Sequence, residues 1–345
     1  MRVESKTSWE KARAIVLQYG WNSMCYQILN PGMTLWFSKQ SLGVLGYVET
    51  STHIVVAGAP ITKEHDLSDV VSEFSRFAIG KSKTVCFFGV QQKMLTLLTR
   101  IIPSSTIVLG AQPVWTPKEW LHTSIHKRSL RAQILRAANK NIEVTIVRNG
   151  ISHIEADMRR CLHEWIRSRR LPPIHFLVEP ITIENVRDRI LCVAKKDRNI
   201  IGYCVASPIP LRNGWLIEHI IRADDAPNGT SELLLHTLIT EIEHRKSDFI
   251  TLGLSPLSPH TSVSHNHPLW LRSSLSIIRS WGKIFYNFEG LDQFKSKYRP
   301  SGWEPVYAIS NVPKPTPSTL YAIATAFTGI SPITFIRKGL FRRCL

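Results

Sequence analysis

Residues 214–254 read GWLIEHIIRADDAPNGTSELLLHTLITEIEHRKSDFITLGL, and the fold is decided there. Trp215–Ile221 is a short, mostly apolar run of the kind that forms a strand. Leu234, Leu235, Leu238, Ile239 and Ile242 then recur at helical spacing, and Phe249–Leu254 returns as a short buried strand. Upstream, Ile190–Ala194 and Ile200–Ala206 alternate like strands, and Arg212-Asn213-Gly214 supplies hairpin turn chemistry. The order is strand, strand, helix, strand.

The same order occurs earlier. Gly43–Glu49 and His53–Ala57 read as strands, Leu67, Val70, Val71 and Phe74 form one helix stripe, and Thr84–Val90 is a short apolar run. Each earlier hairpin carries a Gly-Tyr pair, Gly46-Tyr47 and Gly202-Tyr203, so the spacing favours a duplication. Between the copies, residues 118–170 read as a basic helical stretch, with twelve lysines and arginines against five acids. Lys127, Arg128 and Arg131 share one side of its helix, either as a solvated face or as phosphate contacts. Pro313, Pro315 and Pro317 form a stiff linker. After it, an apolar tail with Arg337, Lys338, Arg342 and Arg343 reads either as an interfacial anchor on an anionic membrane or as a helix packed on its own domain.

The chain has 345 residues, enough for about two domains. At 43% hydrophobic and 20% charged it is not a disordered polymer. A net charge of +17 favours polyanionic partners, nucleic acid or anionic lipid. The 6 cysteines are scattered without a CxxC pair, which fits a reducing cytoplasm better than a zinc ribbon or a disulfide framework. The N-terminus lacks an apolar signal segment, and no apolar run reaches the roughly 18–20 residues of a membrane span. No metal cluster is visible and no cofactor is expected.

The second module has the strand and helix order of the acetyltransferase-like (GNAT) fold, in which two parallel strands splay and open a cleft. A coenzyme A enzyme of that fold needs a glycine-rich turn at the helix N-terminus to hold a pyrophosphate. Here the turn has one glycine, Gly229, and brings Asp224, Asp225 and Glu232 to that position, which suits a cation better. Strict alternation puts Leu216, Glu218, Ile220 and Arg222 on one strand face and His219 on the other. A carboxylate and a guanidinium on an apolar face are either a buried ion pair or a functional pair. In residues 288–307, Lys295, Lys297 and Arg299 alternate as on an extended segment, interleaved with Phe294, Tyr298, Trp303 and Tyr307; the rim either grips phosphate or is a basic edge strand.

The stretches IEHIIRADDAPNGTSELLL, TLGLSPLS and GLDQFKSKYRPSGWEPVY resemble the C-terminal catalytic domain of phosphatidylglycerol lysyltransferases and alanyltransferases, over residues 35–310 and in a stand-alone form. The resemblance implies two tandem GNAT-like domains with mixed central sheets (α+β). It also implies aminoacyl transfer from aminoacyl-tRNA to a lipid hydroxyl at the inner membrane face. By motif, the family's strand-end arginine falls on Arg222, its helix-opening acid on Glu232 after matching Asn228 and Thr230, and its lysine on Lys295. The family's aspartate falls on His219, a departure that a β-bulge beside Arg222 would reconcile with the geometry.

These readings give domains at 1–145, 146–312 and 313–345, the last a Pro-rich linker with a basic amphipathic helix. Lys295 and Arg222 are expected to meet the tRNA 3′ end or developing negative charge, and Glu218 or His219 to act as base. Glu232 is expected to bind the aminoacyl ammonium, with Asn228, Thr230, Lys297, Tyr298 and Arg299 around the substrate. Lys127, Arg128 and Arg131 would contact tRNA or lipid phosphates. The rivals are an acyl-coenzyme A N-acyltransferase and a non-catalytic basic protein that binds RNA or membrane.

Overall fold

Both strand–strand–helix–strand units form as read. In the first, β2 (Gly43–Glu49) and β3 (His53–Ala57) lead into α2 (Leu67–Gly80) and β5 (Thr84–Val90). In the second, β8 (Ile190–Lys196), β9 (Asn199–Ile209) and β10 (Gly214–Arg222) lead into α7 (Thr230–His244) and β11 (Phe249–Thr251). In each unit the strand after the helix lies parallel to the strand before it, β5 on β3 and β11 on β10. The computed structural model describes residues 3–148, 150–168, 174–180, 182, 185–261, 268–273 and 288–341. Arg169, Arg170, Arg342 and Arg343 lie outside them.

The remaining strands are β1 (Thr34–Phe37), β4 (Ile61–Thr62), β6 (Ser105–Trp115), β7 (Glu143–Ile146), β12 (Ser255–Pro256) and β13 (Gly302–Ser310). All join one mixed 13-stranded sheet, along the path β1-β2-β3-β5-β13-β6-β11-β10-β9-β8-β7. The two units are stitched together rather than stacked. β13, from late in the chain, pairs on one edge with β5 and on the other with β6, and β6 pairs onward with β11.

Helices cover both faces. Alternation along β9 sends Tyr203, Val205 and Ile209 to one side and Cys204 and Ala206 to the other. The first side carries α1 (Val3–Tyr19), α6 (Glu155–Arg167) and α9 (Pro317–Thr328); the second carries α2, α7 and α4 (Pro117–His126) with α5 (Arg128–Ala138). α3 (Gln92–Ile101) follows β5. The basic stretch 118–170 is therefore not one helix but α4, α5, β7 and α6. Thr116 caps α4 in a capping box with Glu119, and Pro117 takes the first helical position.

Three local expectations change. The strand expected over Phe249–Leu254 ends at Thr251, because Gly253 takes φ +70° and turns the chain toward β12. The segment expected to be extended at Lys295–Arg299 begins as a helix, α8 (Phe288–Ser296). In the tail, α9 buries Thr319, Ala322, Ile323 and Ala326 against the core, and α10 (Pro332–Phe341) leaves Ile333 and Ile336 exposed beside Arg337 and Lys338. Among the described residues no single helix is long and apolar enough to cross a membrane; α9 and the first part of α10 pass by length and composition only as a pair bent by 47°.

Candidate functional site

The parallel strands β10 and β11 part at a defined point. Their last paired residues are Leu216 and Thr251; beyond them β10 follows β9, while residues 252–254 turn away to β12 on β6. Backbone groups beyond such a divergence lose the neighbouring strand as a hydrogen-bond partner. A β-bulge sits at this point: Ile217 pairs with Ala206 and His219 with Val205, so Glu218 is the extra residue.

The bulge was expected to bring His219 to the face of Arg222. It does not. One inserted residue flips the parity of everything after it. Ile217 and Ile220 now pack on the α7 side, while Leu216 and Ile221 face the other side. By the same alternation Arg222 follows Ile220, and Glu218 and His219 both turn away from it. The expected Glu218–Arg222 face is corrected accordingly.

Glu218 meets Arg189 instead. Arg189 Nε donates to Glu218 Oε1 at 2.8 Å, and the side chains are 0% and 4% exposed. Arg189 also donates to Asn30 Oδ1 at 2.6 Å and lies over the Tyr26 ring, and Tyr26 joins Asp188, itself gripped by Arg13 at 2.5 Å. Burial works to raise the Glu218 carboxyl, but Arg189, His219 and Gln27 together outweigh it and hold the pKa below the ordinary value. Glu218 is thus a committed ion-pair partner, not the free base expected. His219 Nε2 lies 2.8 Å from the Glu179 carbonyl, which can only accept, so Nε2 holds the proton and Nδ1 carries the lone pair. Burial lowers the His219 pKa, partly countered by Glu218, so the ring is neutral near pH 7.

On the other side of the divergence, Lys295 enters from the last turn of α8. It is buried, and its Nζ donates to the carbonyls of Gly253 at 2.8 Å and Leu254 at 2.9 Å. These are backbone groups the departing strand leaves unpaired. Burial lowers the Lys295 ammonium to about 7, with Asp292 pulling weakly upward. Two N–H groups satisfy the two carbonyls, so the remaining direction on nitrogen is a third N–H or a lone pair according to charge.

Lys297 does not point with Lys295: it leaves the helix end and closes an ion pair with Glu232 in the first turn of α7. The carboxylate expected to hold a substrate ammonium is therefore matched by the chain's own lysine. Tyr298 stacks on Trp120 at 4.0 Å, fully buried, with its hydroxyl lacking a hydrogen-bond partner among the described residues. Arg299 is exposed. The Thr230 hydroxyl is spent on the Pro227 carbonyl, and Asn228 is an exposed turn residue. Arg222 is half-buried, with one weak bond, 3.3 Å, to the Ala226 carbonyl. Lys127 lies between α4 and α5, donating to the Lys297 carbonyl at 2.5 Å, while Arg128 and Arg131 are exposed on α5.

At the helix N-terminus that would cradle a pyrophosphate, α5 packs closely on the residue that opens the helix. Gly229 opens α7 at φ +99°, and a Cβ built there would come within 2.0 Å of the Gln133 carbonyl oxygen of α5. A carbonyl oxygen so near the helix N-terminus is an unfavourable neighbour for phosphate. Of the three acids expected there, Asp224 and Asp225 are exposed, while Glu232 does lie in the first turn of α7, buried and paired with Lys297. Sequence reasoning missed Arg189, Asp188 and Arg13, whose partners lie 29 and 175 residues away in the chain. Among the described residues no group of three metal-ligating side chains assembles.

Comparison with known proteins sets this geometry in a family. Residues 13–310 match the family described as phosphatidylglycerol lysyltransferase, C-terminal. The curated phosphatidylglycerol lysyltransferase of Staphylococcus aureus strain COL is 23% identical over 324 residues, covering 90% of this chain and 36% of the relative. That of Staphylococcus haemolyticus is 20% identical, covering 87% and 35%. The chain thus spans about a third of the length of these relatives. Among solved structures, L-PGS from Bacillus licheniformis superposes with a TM-score of 0.77 at 18% identity, covering 92% of this chain and 95% of that one. FemX, at 8% identity and covering 91% and 98%, reaches 0.57, and the likeness there is one of fold. A mixed α/β sheet, the parting of β10 and β11, and a family match over residues 13–310 lead to one conclusion: the chain belongs to the phosphatidylglycerol lysyltransferase C-terminal family.

Proposed function

We propose that the protein transfers an aminoacyl group from aminoacyl-tRNA to a hydroxyl of a polar membrane lipid such as phosphatidylglycerol. The observation that carries this reading is Lys295, a buried amine with a pKa of about 7, anchored by two carbonyls where β10 and β11 part. An aminoacyl ester is already activated, so the chain needs mainly to align a hydroxyl, remove its proton and steady the oxyanion. A neutral Lys295 amine is suited to take the proton. That is a change from Glu218, whose carboxylate is held by Arg189. His219 Nδ1 would accept a hydrogen bond from a substrate hydroxyl or ammonium, and Arg222 would meet negative charge on the α7 side.

On this reading the catalytic unit is residues 146–312, a second GNAT-like unit joined through shared strands to the unit of residues 1–145. The α9–α10 pair would rest on the inner face of the cell membrane: Ile333 and Ile336 are exposed beside Arg337 and Lys338, a combination suited to anionic headgroups.

Two experiments test the reading. Lipid mass spectrometry of cells with and without the protein should reveal species heavier by one amino-acid residue, and an unchanged lipidome would refute a lipid acceptor. Against the coenzyme A alternative stands Gln133, whose carbonyl covers Gly229. In a thermal-shift series, coenzyme A is expected to leave the melting temperature unmoved at concentrations where a non-hydrolysable aminoacyl-RNA analogue raises it; stabilisation by coenzyme A alone would reverse the assignment.

A further inference from the structure

Between α4, α5 and the turn after α8 lies a cavity of about 640 Å³. Lys127, Arg128 and Arg299 line it together with His122, His126 and Ser129, and no carboxylate does so among the described residues. The two histidine rings lie 4.2 Å apart on one turn of α4. The Lys127 ammonium is lowered by burial and further by the nearby cations Arg299 and Lys297. Arg299 is held in the left-handed region, φ +50°, between Arg299 N–H to the Ser296 carbonyl and Ser301 N–H to the Val114 carbonyl. The cavity also adjoins the site: Lys127 donates to the Lys297 carbonyl, and the Lys297 side chain pairs with Glu232 on α7.

The geometry points to a phosphodiester seat: the cavity takes backbone phosphates of the acceptor end of the charged RNA, an inference resting on the donor proposed above. At the α7 N-terminus the Gln133 carbonyl packs against Gly229 and Glu232 adds a carboxylate, which makes it a poor seat for phosphate, whereas the cationic cavity beside α5 has no lining carboxylate among the described residues. Phosphate binding by fixed guanidinium groups is bidentate and salt-dependent.

The test uses the full chain and a labelled RNA hairpin with a tRNA-like acceptor stem and single-stranded 3′ end. Arg128→Gln with Arg299→Gln is compared with Arg160→Gln, a control on α6, all checked for an unchanged melting temperature. The double variant should bind the hairpin about tenfold more weakly, with a salt slope shallower by about 1–2, and the control should match wild type. Flotation on phosphatidylglycerol vesicles should be the same for all three proteins. Unchanged RNA affinity and slope would overturn the inference. So would loss of vesicle binding with RNA binding intact, which assigns the cavity to lipid headgroups, or saturation by inorganic pyrophosphate that leaves RNA binding untouched. If RNA binding depends on the cavity but wild type makes no aminoacylated lipid, the proposed acceptor falls and this inference stands. If the lipid product forms and RNA affinity ignores the cavity, only this inference falls.

Discussion

Lys295→Met abolishes transfer, lowering the rate by about 10²–10⁴, and leaves the protein folded: this is the largest catalytic effect expected of a single substitution. Methionine fills nearly the same volume without a titratable group. The carbonyls of Gly253 and Leu254 lose their donor, at a cost of about 1–3 kcal/mol, which is offset in part by removing a buried amine. Lys295→Arg separates the two roles open to a nitrogen here. Arginine stays cationic and cannot take a proton, so it preserves a fixed charge and destroys a base. Activity retained in the arginine variant would refute the base assignment. The pH profile supplies the same distinction. With a pKa of about 7, a lysine base gives a rate that rises through neutrality and levels above it, and the arginine variant lacks that limb. Stability moves in a linked way. The unfolded lysine titrates near about 10.4, so between about pH 7 and 10.4 the unfolded chain holds the extra proton and wild-type stability grows with pH relative to Lys295→Met. Below the folded value both states are protonated and the difference is flat. Denaturant melts at a series of pH values read this directly.

How far the sequence foretold these features depends on the range of the interaction. β2, β3 and β5 begin and end where apolar alternation puts them, because each is framed by turn residues within a few positions. The order of elements around α7 is equally local, and it carried the GNAT-like reading. The bulge at Glu218 is different. Nothing in WLIEHIIR marks which residue is extra, since that depends on how β9 pairs, and one residue decides whether Glu218 faces Arg222 or Arg189. Lys295 was legible as a candidate, but not its setting. KSK alternates on paper, whereas α8 runs to Ser296 and sends Lys295 inward and Lys297 toward Glu232. The insertion of β13 between β5 and β6 pairs residues far apart in the chain, Gly302 with Val114 and Ser310 with Cys86, with no local signature. Gln133 over Gly229 belongs to the same class: the sequence showed one glycine, and only tertiary packing shows that a helix has closed the space around it.

Arg189→Met is expected to destabilise the protein by about 3–5 kcal/mol, the largest stability effect expected of a single substitution. The guanidinium holds Glu218, Asn30 and the Asn185 carbonyl at once and lies against Tyr26, all within the layer that joins the first unit to β10. Its removal strands a carboxylate whose side chain is 4% exposed. That carboxyl must then take up a proton or draw in water, and the bulge it occupies loses its anchor. The double variant Arg189→Met with Glu218→Gln should recover much of the loss, because the uncompensated charge, rather than the missing attraction, dominates the single change. The pH dependence fixes the sign. The folded Glu218 pKa lies below the unfolded one, so the pair stabilises fully above the unfolded carboxylate value and its contribution is lost as pH falls through the folded value. In Arg189→Met the Glu218 carboxyl shifts upward instead, and mild acid should narrow the gap between variant and wild type. A single variant as stable as wild type, or a double variant no better than the single, would show that Glu218 finds another partner and that this ion pair does not hold the bulge. Catalysis gives a second readout. If the pair serves to fix β10, the double variant should regain transfer together with stability; a stable double variant without activity would return Glu218 to the chemistry from which its ion pair with Arg189 withholds it in the native geometry.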